Sequence, residues 1–338
     1  LDKKQDHCLG IISLHFVIEF DNLTHLKRST KNMPSILVIV NPVAGKGRGE
    51  RAIPRIEEYF RECGLDFSIV RTEKPWHAKE IAKNASRENF QCVVSAGGDG
   101  TTNEILNGLL EIPEKVRLPL GVLCVGNGND FAYGMGIPKN LREGVKVIAE
   151  GYRKKIDVGR VKGGLYPKGR FFGNGVGIGF DAVVGFEAAK MKHISGFLSY
   201  AIAALKTVFL YYQPPLVKIT TDSKTWTQRS LLISLMNGQR MGGGFLMAPD
   251  GNPSDGNLNY CIAESMPKFK IFPMILKFMK GTQIGHPVIQ TGLFKRMRVK
   301  AIEGSLPCHA DGETICTQGQ SLEIEIYPSA IEIITKAP

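Results

Sequence analysis

Cys92-Val93-Val94-Ser95-Ala96-Gly97-Gly98-Asp99-Gly100-Thr101 decides how the rest of the chain is read. Its first five residues form a compact, mostly apolar run, the pattern of a strand buried on both faces as in parallel sheets. Apolar residues at helical spacing from Asn103 to Leu110 then predict a helix. Glycines between a buried strand and a helix let backbone amides approach a phosphate where the helix dipole favours negative charge. Asp99, at the strand's carboxyl end, is placed to orient a hydrated metal ion or a transferring phosphoryl group, in the crevice where open α/β sheets bind ligands. The plainer alternative is a tight glycine turn with Asp99 as a helix cap.

Toward the N-terminus, Ile36-Leu37-Val38-Ile39-Val40 is a second buried-strand run, ended by Asn41-Pro42 and a glycine loop, Gly45-Lys46-Gly47-Arg48-Gly49. Ile53, Ile56, Tyr59 and Phe60 then follow at helical spacing, Phe67 to Arg71 reads as a strand, and Ala78 to Ala85 reads as a helix. Toward the C-terminus, the strand Leu120 to Val125 leads into a third glycine loop, Gly126-Asn127-Gly128-Asn129-Asp130. Strands alternating with helices predict a doubly wound, mostly parallel α/β nucleotide-binding domain over 33–156. None of the three loops matches a P-loop or dinucleotide spacing. Their convergence on one sheet edge makes a nucleotide site credible.

From Asp157 the pattern changes to glycine-punctuated strands: Phe171 to Gly179, Leu216 to Thr221, Ser230 to Met236, Leu258 to Ala263 and Leu322 to Ile326. They predict an all-β, sandwich-like domain over 157–328 with helical insertions at Ile194 to Tyr212 and Lys268 to Lys280. Residues 329–338 hold a closing strand, Ile331 to Thr335, which could return to the first domain. The first methionine is Met33, so residues 1–32 are read as an upstream extension outside the fold.

At 338 residues, two domains are the expectation. A formal charge of +11 favours an anionic partner: phosphorylated ligands, nucleic acid or a membrane surface. No aromatic-plus-basic recognition module accompanies the charge, so nucleic acid is not expected. The seven cysteines are scattered, without zinc spacing, and read as reduced thiols. No apolar run reaches the roughly 20 residues that span a bilayer, and no cleavage pattern follows Leu9 to Phe20.

Three motifs in order and spacing, Asn41-Pro42-x-x-Gly45, Gly97-Gly98-Asp99-Gly100-Thr101-x-Asn103-Glu104 and Gly126-x-Gly128-Asn129-Asp130-Phe131-Ala132, resemble the diacylglycerol kinase catalytic family, particularly its soluble bacterial lipid kinases. The likeness extends from Met33 to the end, through Asp157-Val158-Gly159, Asn174-x-x-Gly177-x-Gly179-Phe180-Asp181-Ala182, Asn237-Gly238, Asp255-Gly256 and Asp311-Gly312-Glu313. It implies the two-domain fold shared with NAD kinases, with the active site in the cleft. It also implies ATP contacts from Asn41, Pro42, Val43, Ala44, Gly45, Thr72, Gly97, Gly98, Asp99, Gly100, Thr101, Thr102, Asn103, Glu104 and Asn127. Glu313 resembles the general base, with Asp99 and Asp311 beside it, and Asp130 and Asp157 join a polar network around the phosphates. Asp255, with main-chain oxygens of Leu258 and Tyr260, resembles a Mg²⁺ site. Asn127 stands where the family usually has threonine. Read without the resemblance, Asp311-Gly312 is a hairpin turn and Glu313 a turn acid.

The resemblance implies an ATP- and Mg²⁺-dependent lipid kinase acting on diacylglycerol, in the cytoplasm at the inner membrane face. The acceptor alternatives are phosphatidylglycerol, a sphingoid base and NAD; outside catalysis, the chain could be a nucleotide or lipid sensor, and a homodimer is left open. Between Ser265 and Ile302 lie eight Lys/Arg and no Asp or Glu, with Phe269, Ile271, Phe272, Ile275, Leu276, Phe278 and Met279 interspersed among the lysines. This segment could dock on an anionic bilayer. The competing reading is a core-packed helix whose lysines face water.

Overall fold

The run Ile36–Val40 forms β1, the inner strand of a parallel sheet, between β2 (Phe67–Arg71) and β3 (Cys92–Gly97), with β4 (Leu120–Cys124) beyond β3. The helices between and after these strands are α1 (Ala44–Glu62), α2 (His77–Ala85), α3 (Asp99–Leu110), the short α4 (Asp130–Gly134) and α5 (Leu141–Glu150). Because side chains alternate along a strand, β1 feeds two cores. Ile36, Val38 and Val40 pack with Ile56 and Phe60 of α1 and with Ile148 of α5. Leu37 and Ile39 pack on the other face with Ala82 of α2 and with Ile105 and Leu109 of α3. The sheet is therefore doubly wound. Since the chain leaves β1 toward β2 and later continues from β3 toward β4, the order reverses between β1 and β3, the point where such sheets open a ligand crevice.

The computed structural model describes residues 36–86, 88, 90–190, 202–203, 206–207 and 213–337, which lie in one compact unit, Ser35–Pro338. The extension at residues 1–32 and nearly all of the expected helix Ile194 to Tyr212 lie outside the described residues.

The second half is a β-sandwich-like body. Its chain order runs β5 (Arg153–Gly163), β6 (Tyr166–Phe172), β7 (Gly175–Gly179), α6 (Phe180–Ala189), β8 (Leu216–Thr221), β9 (Thr225–Met236), β10 (Arg240–Met241) and β11 (Phe245–Leu246). β12 (Leu258–Glu264), α7 (Lys268–Lys280), β13 (Ile289–Phe294), β14 (Arg296–Glu303), β15 (Leu306–Ala310), β16 (Glu313–Gly319) and β17 (Ser321–Ile334) follow. Ile178, Leu235, Ile262 and Cys308 from one layer share a core with Val161, Ile219, Val299 and Ile324 from the other. β9 passes between layers, pairing first with β8 and then with β7 and β12.

Several elements differ from the sequence reading. The helix after β3 starts at Asp99 rather than Asn103, with Gly98 as its N-cap, so Asp99 does not cap it. The expected strand Phe171 to Gly179 is two strands, broken at Gly173 and Asn174, whose amides serve the half-buried Asp311 carboxylate instead of a ladder. Leu322 to Ile326 and Ile331 to Thr335 belong to one strand, β17, which pairs antiparallel with β14 and β5 and then meets β4 in parallel at Ile333 and Leu120. β5 is equally continuous, and the expected junction at 156/157 falls inside it. Among the described residues, no helix is long and apolar enough to cross a membrane.

Candidate active site

A cleft of about 370 Å³ opens beside the parallel sheet, lined from one side by Asp99, Gly100, Asn103 and Asn127 and from the other by Asn174, Gly243, Asp311 and Glu313. The three glycine loops meet at its edge, and they meet backbone to backbone. A Cβ at Gly126 would lie 2.4 Å from Gly98 Cα, and one at Gly45 would lie 2.6 Å from the Val125 carbonyl oxygen, so side chains there would force the loops apart. Asn41 Nδ2 donates to Thr101 Oγ1 at 3.0 Å, which ties the first loop to the second. The first loop also contains three consecutive left-handed residues, Gly45 (φ 58°), Lys46 (φ 61°) and Gly47 (φ 81°). For Lys46, which has a Cβ, that conformation costs roughly 1–2 kcal/mol.

Asn127, the departure from the family's threonine, accepts a hydrogen bond from Arg48, whose Nη2 also donates to the Gly126 carbonyl at 2.8 Å. The residue thus joins the first and third loops through the Arg48 guanidinium. First-turn amides of α3 have no intrahelical acceptors, so this loop edge presents N–H donors and an arginine to an anion. Thr72 follows β2 and its amide donates to the Val40 carbonyl at 2.9 Å, extending the sheet. Pro42 and Val43 form the turn from β1 into α1, which opens at Ala44.

Other expected nucleotide residues are tied up by protein partners. Thr102 Oγ1 pairs with Ser95 Oγ at 2.9 Å. Asn103, buried, donates to Phe171 O and to Asp311 Oδ2, and it accepts from Arg170. Glu104 accepts from the Ala78 amide at the start of α2 at 3.2 Å, and burial raises its carboxyl above the ordinary value. These side chains hold α3 in place.

The acids divide by role. Asp311 is at the turn between β15 and β16, and both turn residues are left-handed, Asp311 at φ 47° and Gly312 at φ 85°. Its carboxylate accepts from Asn103 Nδ2 and the Gly173 amide at 2.8 Å, from the Asn174 amide at 3.0 Å and from the Gly175 amide at 2.8 Å. With all four accepting positions filled, it positions the hairpin that begins β16 with Glu313. Asp130 accepts from Arg240 Nε at 2.7 Å and the Gly243 amide at 2.8 Å, clamping α4 to the turn after β10. Burial raises its carboxyl above the ordinary value against the pull of those two partners. Asp157 likewise bridges loops, accepting from Gly256 N and Ser329 N at 2.7 Å each. Arg240, stacked over Tyr133 at 4.2 Å, was missed by sequence reading. So was His309, on the cleft wall with Nε2 3.7 Å from Asp181 Oδ2.

Asp99 and Glu313 remain on the cleft wall with carboxylate capacity to spare. Asp99 Oδ1 accepts from the Phe131 amide at 3.0 Å, and Oδ2 faces Gly128, where a Cβ would lie 2.8 Å away. Burial, then the charges of Asp130 and Asp311, pushes the Asp99 carboxyl up to about 7 against the Phe131 amide. Glu313 is exposed at the mouth, and its Oε1 would lie 3.2 Å from a Cβ on Gly100. The hairpin thus delivers a carboxylate to the first turn of α3.

The raised Asp99 value carries a sign. The folded state holds this proton after the unfolded chain has lost it, so stability falls as pH rises from the ordinary carboxylate value of 3.8 toward about 7 and is level above. In metal-free buffer, Asp99→Asn is therefore expected to gain stability relative to wild type across that window. Urea unfolding of both proteins at successive pH values tests this, and parallel pH profiles would refute it.

Oxygen donors on Asp99 and Glu313 suit a hard cation such as Mg²⁺, which commonly takes one or two carboxylates and keeps water and phosphate oxygens for the rest. Among the described residues, no three His, Cys, Asp or Glu side chains form a ready metal cage. Asp255 lies exposed before β12, its Oδ1 accepting from the Asn257 amide at 2.9 Å, and Leu258 and Tyr260 follow in β12. These are also oxygen donors, but none of the three lines the cleft.

Two family models match in tandem: the diacylglycerol kinase catalytic domain over residues 35–161, and the YegS C-terminal NAD kinase beta sandwich-like domain over residues 174–335. A diacylglycerol kinase of Staphylococcus carnosus (strain TM300) is 27% identical over 277 residues, 82% of this chain and 87% of the relative. One of Staphylococcus aureus (strain MRSA252) is 28% identical over 277 residues, covering 82% and 85%. A crystal structure of a diacylglycerol kinase from Bacillus anthracis str. Sterne is similar in fold with a TM-score of 0.67 at 22% identity, over 90% of this chain and 98% of that one. In class, then, the protein is a lipid kinase. The chain belongs to the diacylglycerol kinase catalytic family.

Proposed function

We propose that the chain transfers the γ-phosphoryl group of ATP to the free hydroxyl of diacylglycerol, giving phosphatidic acid. The observation that carries this reading is the approach of Glu313 to Gly100, which sets an exposed carboxylate against the glycine loop at the switch point. The loops Asn41 to Gly45 and Gly97 to Thr101, with Arg48, supply donors for the phosphates. Phosphoryl transfer depends chiefly on position and charge neutralisation, so little covalent chemistry is asked of the protein. Glu313 accepts the acceptor hydroxyl proton as the oxygen attacks the γ-phosphorus and the bond to the β,γ-bridging oxygen breaks, releasing ADP, and Asp311 holds the turn that aims it. Asp99 would hold Mg²⁺, which when bound neutralises charge on the phosphate oxygens. Asp255, with the carbonyls of Leu258 and Tyr260, would hold a second ion that stiffens the loop before β12.

The relatives' names support diacylglycerol as acceptor. The test incubates protein, labelled ATP and Mg²⁺ with diacylglycerol, phosphatidylglycerol, ceramide, sphingosine and NAD in separate tubes. Label is expected in phosphatidic acid and is expected to vanish with EDTA. Label in another acceptor alone would overturn the diacylglycerol assignment, and turnover in EDTA would overturn the Mg²⁺ assignment.

A further inference from the structure

We propose that α7 is a membrane-docking helix that lays one apolar stripe into the surface of an anionic phospholipid bilayer. The helix has two apolar faces, and the fold uses only one. Ile271, Met274 and Phe278, at spacings of three and four, are buried in a core cluster with Phe245 and Met247. On a different face, Phe269, Phe272, Leu276 and Met279 repeat at i, i+3, i+7 and i+10 and are 75%, 50%, 51% and 37% exposed. A helix that only packed on the core would carry polar residues on that second face. Large side chains left in water along one stripe mark a surface that something apolar covers.

Charge selects the occupant. Lys268, Lys270, Lys277 and Lys280 share the helix, which carries no acid, and no Asp or Glu occurs between Ser265 and Ile302 in a chain of net charge +11. Aromatic and aliphatic side chains flanked by lysines are the composition of helices that lie in the interface plane of an anionic membrane. A protein partner would need a strongly acidic groove to match, whereas an anionic bilayer supplies both charge and apolar depth.

The fold also links the stripe to the cleft. α7 ends at Gly281 (φ 69°), where a Cβ would lie 3.2 Å from Leu246 Cδ1, and Gln283 Nε2 donates to the Leu246 carbonyl at 2.6 Å. Leu246 closes the β10–β11 hairpin, whose turn lines the cleft with Gly242 and Gly243 and binds Asp130 through the Gly243 amide. Docking α7 therefore fixes the hairpin that walls the cleft beside the lipid surface. The purpose given to docking rests on the lipid-kinase reading; the binding itself is measured without nucleotide.

The test sediments the full chain with vesicles of phosphatidylcholine alone and of phosphatidylcholine mixed with phosphatidylserine. Wild type is expected to partition into the mixed vesicles at least about tenfold better, in a salt-sensitive way. One variant carries Phe269→Ser, Phe272→Ser and Leu276→Ser; the other carries Lys270→Glu, Lys277→Glu and Lys280→Glu. Each is expected to lose on the order of 100-fold in partitioning, the lysine set at about fivefold or more per position. Thermal unfolding and turnover of a short-chain diacylglycerol dissolved as monomers are expected to stay unchanged, which separates lost docking from lost folding or lost chemistry. If wild type binds vesicles but phosphorylates no diacylglycerol, the docking inference stands and the acceptor assignment falls. Equal binding to neutral and anionic vesicles, or either variant binding within about threefold of wild type, would overturn the inference. So would an unchanged vesicle affinity with a dimer converted to monomer by the serine variant, which would assign the stripe to a second copy.

Discussion

Glu313→Gln is expected to lower kcat by about 10²- to 10⁴-fold, the usual contribution of a general base, while ATP binding and unfolding temperature stay close to wild type. The geometry makes this a narrow test. Glu313 is exposed, pairs through its backbone with Ala310 across the turn, and approaches Gly100 only with its side-chain oxygen. Glutamine keeps the size and the polarity and removes the proton-accepting charge, so the turn survives. Steady-state kinetics with diacylglycerol in mixed micelles, beside ATP titration, read the two effects apart. A variant with kcat within threefold of wild type would reduce Glu313 to a residue of the turn, with proton transfer assigned elsewhere.

Arg240→Ala is expected to cost about 3–5 kcal/mol of stability, since removing one partner of a buried ion pair leaves the other uncompensated. Arg240 and Asp130 are 8% and 7% exposed, and Arg240 Nη2 also donates to the Gly128 carbonyl at 3.0 Å. The loss should come with weaker nucleotide binding, because the third glycine loop is held by these bonds. Its cause is checked by a second substitution. Asp130→Asn added to Arg240→Ala removes the stranded charge and is expected to recover part of the stability. The single variant's deficit should also shrink as pH falls, because a protonated Asp130 carboxyl no longer carries an unpaired charge. Urea unfolding of the single and double variants measures both, and a double variant less stable than Arg240→Ala would refute the account.

The glycine loops and the parallel sheet were legible because their signals are local. Ile36 to Val40 and Cys92 to Ala96 are continuous apolar runs, and the residues that must approach a neighbouring backbone, Gly45, Gly98 and Gly126, are glycines in the sequence itself. The basic stretch Arg296 to Glu303, which overlaps the segment read as a bilayer-facing one, carries a local strand signal of its own. Its alternation of Arg296, Arg298 and Lys300 with Met297, Val299 and Ala301 is the pattern of a strand with one buried face, β14. Likewise the strands expected at Leu322 to Ile326 and Ile331 to Thr335 form a single β17 that runs through Pro328. The structure carries the strand through with Ser329 left-handed, its amide held by Asp157.

By itself, then, the sequence determined where the three glycine loops lie and that a doubly wound sheet presents them together, since strand burial, glycine freedom and helix starts are properties of neighbouring residues. Only the tertiary structure decided what the acids do. Asp130, Asp311 and Glu313 carry similar chemistry, yet one is clamped by Arg240, one is filled by four donors and one reaches Gly100. Their partners lie more than 100 residues away, as with Asp130 and Arg240, 110 apart, and Asn103 and Asp311, 208 apart. A carboxylate's role follows from its burial and from the donors around it, and long-range strand pairing brings those donors together without leaving a mark in the local pattern.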